Sequence, residues 1–511
     1  MVAIKTRCPI NHRSNTTVII IGAGLGGLSA AISLAAEGHK VLIIEKNNKI
    51  GGKLNVLHQQ GFTFDLGPSI LTLPHIFENL FKRAGKSFSQ AVPMVALDPQ
   101  WRAFFEDHTT FDLYFDKNKM THELRRFDAA EVDPFFRFLA YSEKQYDIIE
   151  KGYFRKGLDT MGDFMRCYPL SDIVHFDLLR TMHQGVAHYI KNKKIIDVMD
   201  YFIKYVGSSA YSAPGFMNLL PTIQFRYKLW YVMGGMYRIA EAMGSVLDEL
   251  GAEIHLNTEA VHILEQGDRV TGVETSNGKT FWAESIISNM ETIPTYKQLM
   301  NKDESFLKAY EKFEPACSGL ILELGVKRRY PQLNHHNFFI SRDQKKHFHL
   351  VFKNKKLPED PTIYLVAASR TDPSVAPEGC ESLKILPHIP HLTEENTYTP
   401  DDYMAFKNQI VDKLERMGLE GLRENTIVEH VWTPYDIQSN YYSHKGSIYG
   451  VACDRWKNFA LKTPKKSSIY SNLYFTGGSV NPGGGMPMVV LCGQLVSDLL
   501  SEQAADKTGN G

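Results

Sequence analysis

Apolar positions along this chain follow two periods, and the switches between them divide it into blocks. Residues 18–21 are four β-branched side chains in a row and predict a buried strand. Small and apolar residues at 28–36, with Leu28, Ile32 and Leu34 at helical spacing, predict a helix that Gly38 ends, and 40–44 predicts a second strand. Residues 61–68 read as a strand closing in a Gly-Pro turn. From 130 to 205 the period is helical, and one apolar stripe runs from Leu178 and Leu179 through Met182, Val186 and Ile190 to Phe202 and Tyr205. Strand and helix alternate again at 229–288: a strand at 229–233, a helix at 237–250, a strand near Ile254 expected at the edge of the first sheet, and strands at 269–273 and 280–288. A further region predicts strands at 319–326, 337–340, 347–352, 362–367 and 382–387 and a helix at 402–417. A last strand enters a glycine loop at 477–485, and a helix at 489–500 leaves it.

Composition narrows the classes. A chain of 511 residues holds more than one core. Its 57 Lys and Arg against 57 Asp and Glu leave no net charge, which argues against nucleic acid as a partner. The six cysteines lack CxxC spacing and read as reduced thiols of a cytoplasmic protein. Residues 1–16 lack the apolar core of a signal peptide and read as an extension before the first strand. No stretch reaches the ~18 uninterrupted apolar residues of a spanning helix. The expected location is cytoplasmic, either free or peripheral on the inner face of the cell membrane. The stripe at 178–205 beside Lys191, Lys193 and Lys194 suits such a contact, and a buried core helix suits the same residues.

The chemistry gathers at glycines. Gly22, Gly24 and Gly27 stand between the first strand and helix, and Glu45 closes the second strand, which is the order of a dinucleotide-binding βαβ unit. Gly22 serves the turn, Gly24 the backbone approach to a pyrophosphate, Gly27 the packing of helix on strand, and Glu45 a ribose hydroxyl. Gly51, Gly52 and Lys53 follow at once and suggest a second contact to a long cofactor, FAD rather than NAD, with Gly67 walling its flavin side. Val261 is placed against the adenine or the cofactor loop, and a plain packing role suits it equally. Near the C-terminus, Gly478 and the run Gly483, Gly484, Gly485 and Met486 form a strand–loop–helix whose helix N-terminus suits the electron-rich edge of a reduced flavin. Met486 and Met488 supply an adaptable apolar wall for substrate. His335 and Glu429 are polar candidates, although His335 and His336 point to opposite faces of a strand. His175, His183 and His188 do not share a face at ligand spacing, so no metal is expected, and no catalytic acid, base or nucleophile is identified.

The fold class that follows is α/β: a Rossmann-like FAD-binding domain with a discontinuous mixed-sheet and helical substrate domain. Its expected parts are FAD-binding at 1–115, helical and facing substrate or membrane at 116–225, FAD-binding at 226–300, substrate-binding at 301–465 and FAD-binding at 466–511.

With the segments GYFRKGLDT (152–160), YFIKYVGSS (201–209), YPQLNHHNFF (330–339), WTPYDI (432–437) and GGSVNPGGGMPMV (477–489) added, residues 18–500 resemble the carotenoid desaturase and oxidase family of FAD-dependent, amine-oxidase-like flavoproteins. Desaturases of that family typically carry His before the loop proline and Gly-Ala-Gly after it. Asn481 and Gly484 depart from this pattern and favour the oxidase branch. The resemblance implies oxidation of a terminal methyl group of a C30 polyene, of the diaponeurosporene or diapolycopene type, to an aldehyde. Molecular oxygen or another electron acceptor is the implied second substrate. Two alternatives stay open: a desaturase acting along the same polyene, and a non-catalytic prenyl- or lipid-binding escort of the same fold. Hydride loss from an allylic methyl leaves a cation delocalised along the polyene, so no strong protein base is required. Direct hydride removal and an oxygen adduct of the flavin both remain open.

Overall fold

The computed structural model describes residues 17–508 apart from 170, 171, 173, 174 and 396; the expected extension at 1–16 lies outside the described residues. Strand β1 (Thr17–Ile21), helix α1 (Leu25–Ala36) and strand β2 (Lys40–Ile44) form where the apolar pattern places them. β1 is the centre of a five-stranded parallel sheet in the order Leu473–Phe475, Ser285–Ser288, β1, β2, Glu253–His255. A parallel strand covered on both faces needs apolar side chains on both, and Val18, Ile19 and Ile20 are wholly buried. The segment near Ile254 pairs at the edge, as its pattern predicts.

The C-terminal helix Met486–Thr508 lies on α1. A Cβ at Gly493 would stand 2.5 Å from the Gly26 carbonyl oxygen, and Ser29 Oγ donates to the Val490 carbonyl at 2.6 Å. The two helices therefore touch backbone to backbone. That contact holds the glycine loop before Met486 over the turn that follows β1.

The second sheet is mixed, with eight strands. Its order is Thr426–Trp432, Ile321–Val326, Glu381–Ile389, Ile363–Ala367, His336–Phe339, Trp101–Phe104, Thr110–Leu113, and Ser318–Gly319 pairs with Glu381–Ile389. The strands Trp101–Phe104 and Thr110–Leu113, placed in the first FAD-binding part by sequence, thus belong to this sheet instead. The strand expected at 347–352 is helical: Gln344–Phe348 runs into a π turn, His349–Lys353. Asp343 caps it by accepting from Lys346 N at 2.9 Å, and the cap prevails over a short apolar alternation.

The stripe at 178–205 is broken in two places. Thr181 and Gln184 form a capping box, so the helix starts at Met182 (Met182–Tyr189) and leaves Leu178 and Leu179 outside it. Asn192 caps the next helix, Lys193–Asp200. Beyond that cap, Ile195, Val198, Met199, Phe202 and Ile203 are core residues. Lys193 pairs with Asp197 at 2.7 Å and Lys194 with Asp107. Of the two readings the sequence left open, the buried core helix holds for the stripe beyond Thr181, where Lys193 and Lys194 are paired, while Leu178 and Leu179 stay exposed. No helix of the described residues is long and apolar enough to cross a membrane.

Candidate active site

Two cavities meet between the sheets. The first is a groove at the C-terminal ends of β1 and β2, where open parallel sheets bind their ligands. Gly22, Gly24, Glu45, Gly51, Gly52 and Lys53 line one side of it, and Gly478, Gly484, Gly485 and Met486 line another. The two glycine loops, more than 400 residues apart in sequence, face one space. Gly27 lies behind the groove: a Cβ there would fall 2.2 Å from the Gly22 carbonyl oxygen, so α1 can seat on β1 only with glycine at this position. Glu45 is buried; its Oε2 accepts from Ala23 N and its Oε1 from Asn47 N, both at 2.8 Å. Each oxygen keeps a lone pair for a hydroxyl in the groove. Gly51 N donates to the Ala23 carbonyl at 2.8 Å and ties the second loop to the first. Lys53 lines the groove, but its ammonium is held by Ser443 Oγ (2.6 Å) and the Ser447 carbonyl (2.9 Å), so it pins the opposite wall.

Gly24 lines the groove, and glycine there also leaves room for the Asn289 amide, whose Nδ2 lies 2.6 Å from where a Cβ would be. Two sequence readings change here. Gly483 does not line the groove but backs onto Lys462. Val261 is 43% exposed on the strand Ala260–Gln266, and its neighbours Glu259 and Ala260 line the groove in its place. Side chains alternate along a strand, so one residue of register turns Val261 away.

The second cavity is apolar. Helical residues such as Ile149, Leu220 and Ile223 line it together with Phe176 and Tyr205, and Tyr364 and Leu386 close it on the sheet side. Met486 and Met488 both line it, as read from the sequence. Gly67, Pro68, Lys384, Leu386, Tyr449 and Gly484 to Met486 line both cavities and form the junction. Asn481 braces the loop: its Oδ1 accepts from Tyr153 OH at 2.7 Å and from Lys462 N at 3.1 Å. Tyr153 of the 152–160 segment is thereby joined to the terminal glycine loop.

Lys384 donates to the Asp65 carbonyl at 2.6 Å and to the Gly67 carbonyl, 3.8 Å from the Glu323 carboxylate. Burial pulls its ammonium below the ordinary lysine range and pushes Glu323 up to about 8. Lys204 also lines the apolar cavity, with Nζ 3.4 Å from the Trp101 ring centroid and 4.2 Å from that of Phe338. Facing rings return about 2 kcal/mol to a desolvated ammonium, against several kcal/mol for taking the charge out of water. Burial therefore wins and holds the Lys204 amine well below its usual range.

His335 is not in either cavity. It is buried beside Tyr231 with Nδ1 2.7 Å from Thr371 Oγ1. Glu429 pairs with Lys407 at 2.7 Å on the surface of the second sheet. Sequence reasoning missed Asn289, Lys384, Leu386 and Tyr449. Asn289 follows the strand Ser285–Ser288, and the C-terminal end of a strand in the nucleotide-binding sheet is itself a signal.

A glycine-walled groove at the end of a parallel sheet, opening onto an apolar cavity, is the architecture of a flavin-dependent oxidoreductase. Residues 25–303 match the model of the flavin containing amine oxidoreductase family, and the chain belongs to that family. It is 54% identical over 490 residues to a 4,4'-diapolycopene oxygenase of Methylomonas sp, covering 96% of this chain and 99% of that protein. It is 45% identical over 490 residues to the 4,4'-diaponeurosporene oxygenase of Staphylococcus haemolyticus, covering 96% of this chain and 97% of the other. Among solved structures, putrescine oxidase bound to putrescine shares the fold, with a TM-score of 0.63 at 13% identity over 96% of this chain and 99% of that one.

Proposed function

We propose that this chain binds FAD and oxidises a terminal methyl group of a linear C30 carotenoid to an aldehyde, with molecular oxygen or another electron acceptor as second substrate. One observation carries the reading: the glycine groove and the apolar cavity share a wall at Gly67, Pro68, Lys384, Leu386, Tyr449 and Gly484 to Met486. A reacting ring held in the groove would present itself to a polyene end at that wall. The names of the two relatives supply the substrate class.

The residues fit FAD. The first bond of the C-terminal helix runs from Val489 N to the Gly485 carbonyl, so the N–H groups of Met486 and Met488 lie at its open end. That end favours an electron-rich ring edge. Glu45, at the β2 end of the groove, offers acceptors to a ribose. When bound, the flavin supplies a two-electron acceptor that no amino acid provides. The chain would align the methyl carbon with it, and the apolar lining of aliphatic and aromatic side chains would keep water from the developing cation. Incubating the purified protein with 4,4'-diaponeurosporene tests the reaction. The expected product is an aldehyde, with one oxygen gained and two hydrogens lost. A longer chromophore without oxygen would assign a desaturase, and a protein purified without flavin would assign an escort.

A polyene reaches the site from a membrane, and the mouth of the apolar cavity supports a peripheral contact on the inner face. Met161, Leu178, Leu179, Trp456 and Phe459 line the cavity and are exposed, Leu179 by 86%. Arg455 stacks on Trp456 with its guanidinium 5.0 Å from the ring centroid and donates to the Leu179 carbonyl at 2.7 Å. A basic group among exposed apolar side chains suits an anionic lipid surface. Burying one such apolar side chain is worth about 1.5–3 kcal/mol. The double variant Leu179→Asp, Phe459→Asp is therefore expected to bind anionic liposomes on the order of 100-fold more weakly. Co-sedimentation at the wild-type level would remove this contact from the account.

A further inference from the structure

Among the described residues that line the apolar cavity, Arg455 Nε at the mouth and two groups beside the junction wall have no hydrogen-bond partner. Lys204 Nζ is wholly buried within a box of Trp101, Phe338, Tyr205 and Tyr364, whose ring centroids lie at 3.4, 4.2, 4.4 and 5.5 Å. His388 Nε2 is the other, while its Nδ1 lies 3.3 Å from Tyr201 OH. Both side chains line the cavity. A buried donor left unmade costs free energy, and an apolar polyene offers it nothing. Such a pair makes sense where a polar atom of a ligand arrives.

Their position says which atom. Lys384, Leu386 and His388 alternate along the strand Glu381–Ile389 and share one face. Tyr364, in the Lys204 box, is the register partner of Leu386, and Tyr449 lies 6.0 Å from His388 between ring centroids. Leu386 and Tyr449 belong to the wall common to both cavities. The unpartnered groups therefore adjoin the place where the polyene terminus is oxidised. Burial holds the Lys204 amine well below its usual range and pushes His388 down to about 3, so the imidazole is neutral near pH 7 and can donate or accept.

We propose that Lys204 and His388 form a seat for the oxygen atom of a half-oxidised terminus, the primary alcohol or the aldehyde, and that this seat retains the alcohol for its second oxidation. The inference rests on the terminal-methyl reading above. In the step it would serve, the seat would take the hydroxyl proton while the carbinol carbon gives up a hydride to the two-electron acceptor that a bound flavin would supply. Two electrons leave, and the C–O bond becomes C=O. A reaction confined to hydrogen removal along the chain would need no such group.

Binding tests the seat without turnover. The holoenzyme, its flavin reduced anaerobically, is titrated with a C30 polyene hydrocarbon, its terminal alcohol and its terminal aldehyde, followed by polyene absorption. The alcohol and aldehyde are expected to bind ~10-fold more tightly than the hydrocarbon. Lys204→Met and His388→Leu are expected to abolish that preference while keeping hydrocarbon affinity and flavin content, and to release alcohol during turnover. A second readout uses the wild-type protein alone. An aldehyde in the seat lies within reach of the Lys204 amine; imine formation expels water, and cyanoborohydride reduces the C=N bond to a stable secondary amine. The polyene mass is expected on the peptide bearing Lys204. Equal wild-type affinity for the three polyenes, or label on other lysines that spares Lys204, would overturn the seat. Failure to make any aldehyde from the hydrocarbon would refute the reaction instead, so the two failures are distinct.

Discussion

Gly27→Val is expected to give chains that carry no flavin and turn over no polyene. The argument is steric. A Cβ at this position would stand 2.2 Å from the Gly22 carbonyl oxygen and 3.2 Å from the Ile20 side chain, both on β1 or its turn. Backbone cannot yield there as a flexible side chain would, so α1 must lift off the sheet. Overpacking of this kind costs about 1–3 kcal/mol even where neighbours adjust. The displacement also moves Gly26 against Gly493, where the C-terminal helix has no slack, and so shifts the loop at Gly484. Both walls of the groove are then lost together. Flavin content after purification and thermal unfolding of the variant check this; a Gly27→Val protein with wild-type flavin occupancy would show that α1 does not set the groove. Gly22→Val makes a useful comparison, since its strain comes from φ +95° at the turn and not from helix packing.

The parts of this site that could be read in advance are those encoded within a few residues of one another. The βαβ unit carries its strand, glycines, helix and acid in one stretch of thirty residues, and every part falls in place. The terminal loop is equally local, and Gly484, Gly485, Met486 and Met488 lie where the strand–loop–helix pattern puts them. Positions whose direction depends on a distant partner were not legible. Leu386 faces the junction because Glu381–Ile389 pairs with Ile363–Ala367 in a particular register. A one-residue change of register would turn it away, and nothing within that strand's own sequence sets the choice. Val261 and His335 fail for the same reason. The break in the 178–205 stripe, by contrast, was written locally: Thr181 and Gln184 stand three apart, the spacing of a capping box, and they outweigh the apolar repeat that runs across them.

Exposure around the cavity mouth and burial inside it would give the substrate end a direction. On the proposed function, apolar side chains at the rim would take up the water-insoluble chain, the apolar interior would carry it, and the unpartnered Lys204 and His388 would meet its end near the junction. The groove on the other side of the junction has the opposite character, with backbone N–H groups and a carboxylate.

Selectivity between FAD and FMN tests most directly whether the two glycine loops hold a single extended cofactor. FMN carries the ring and one phosphate, and it leaves unused the end of the groove at Glu45, Asn47 and Glu259. The expected result is close to one FAD per chain in the purified protein, with FMN binding to the flavin-stripped protein at least ~100-fold more weakly, a difference of about 2.7 kcal/mol. Equal affinity for the two flavins would contradict the account, because it would mean that the turn after β1 and the loop before the last helix do not act on the same molecule.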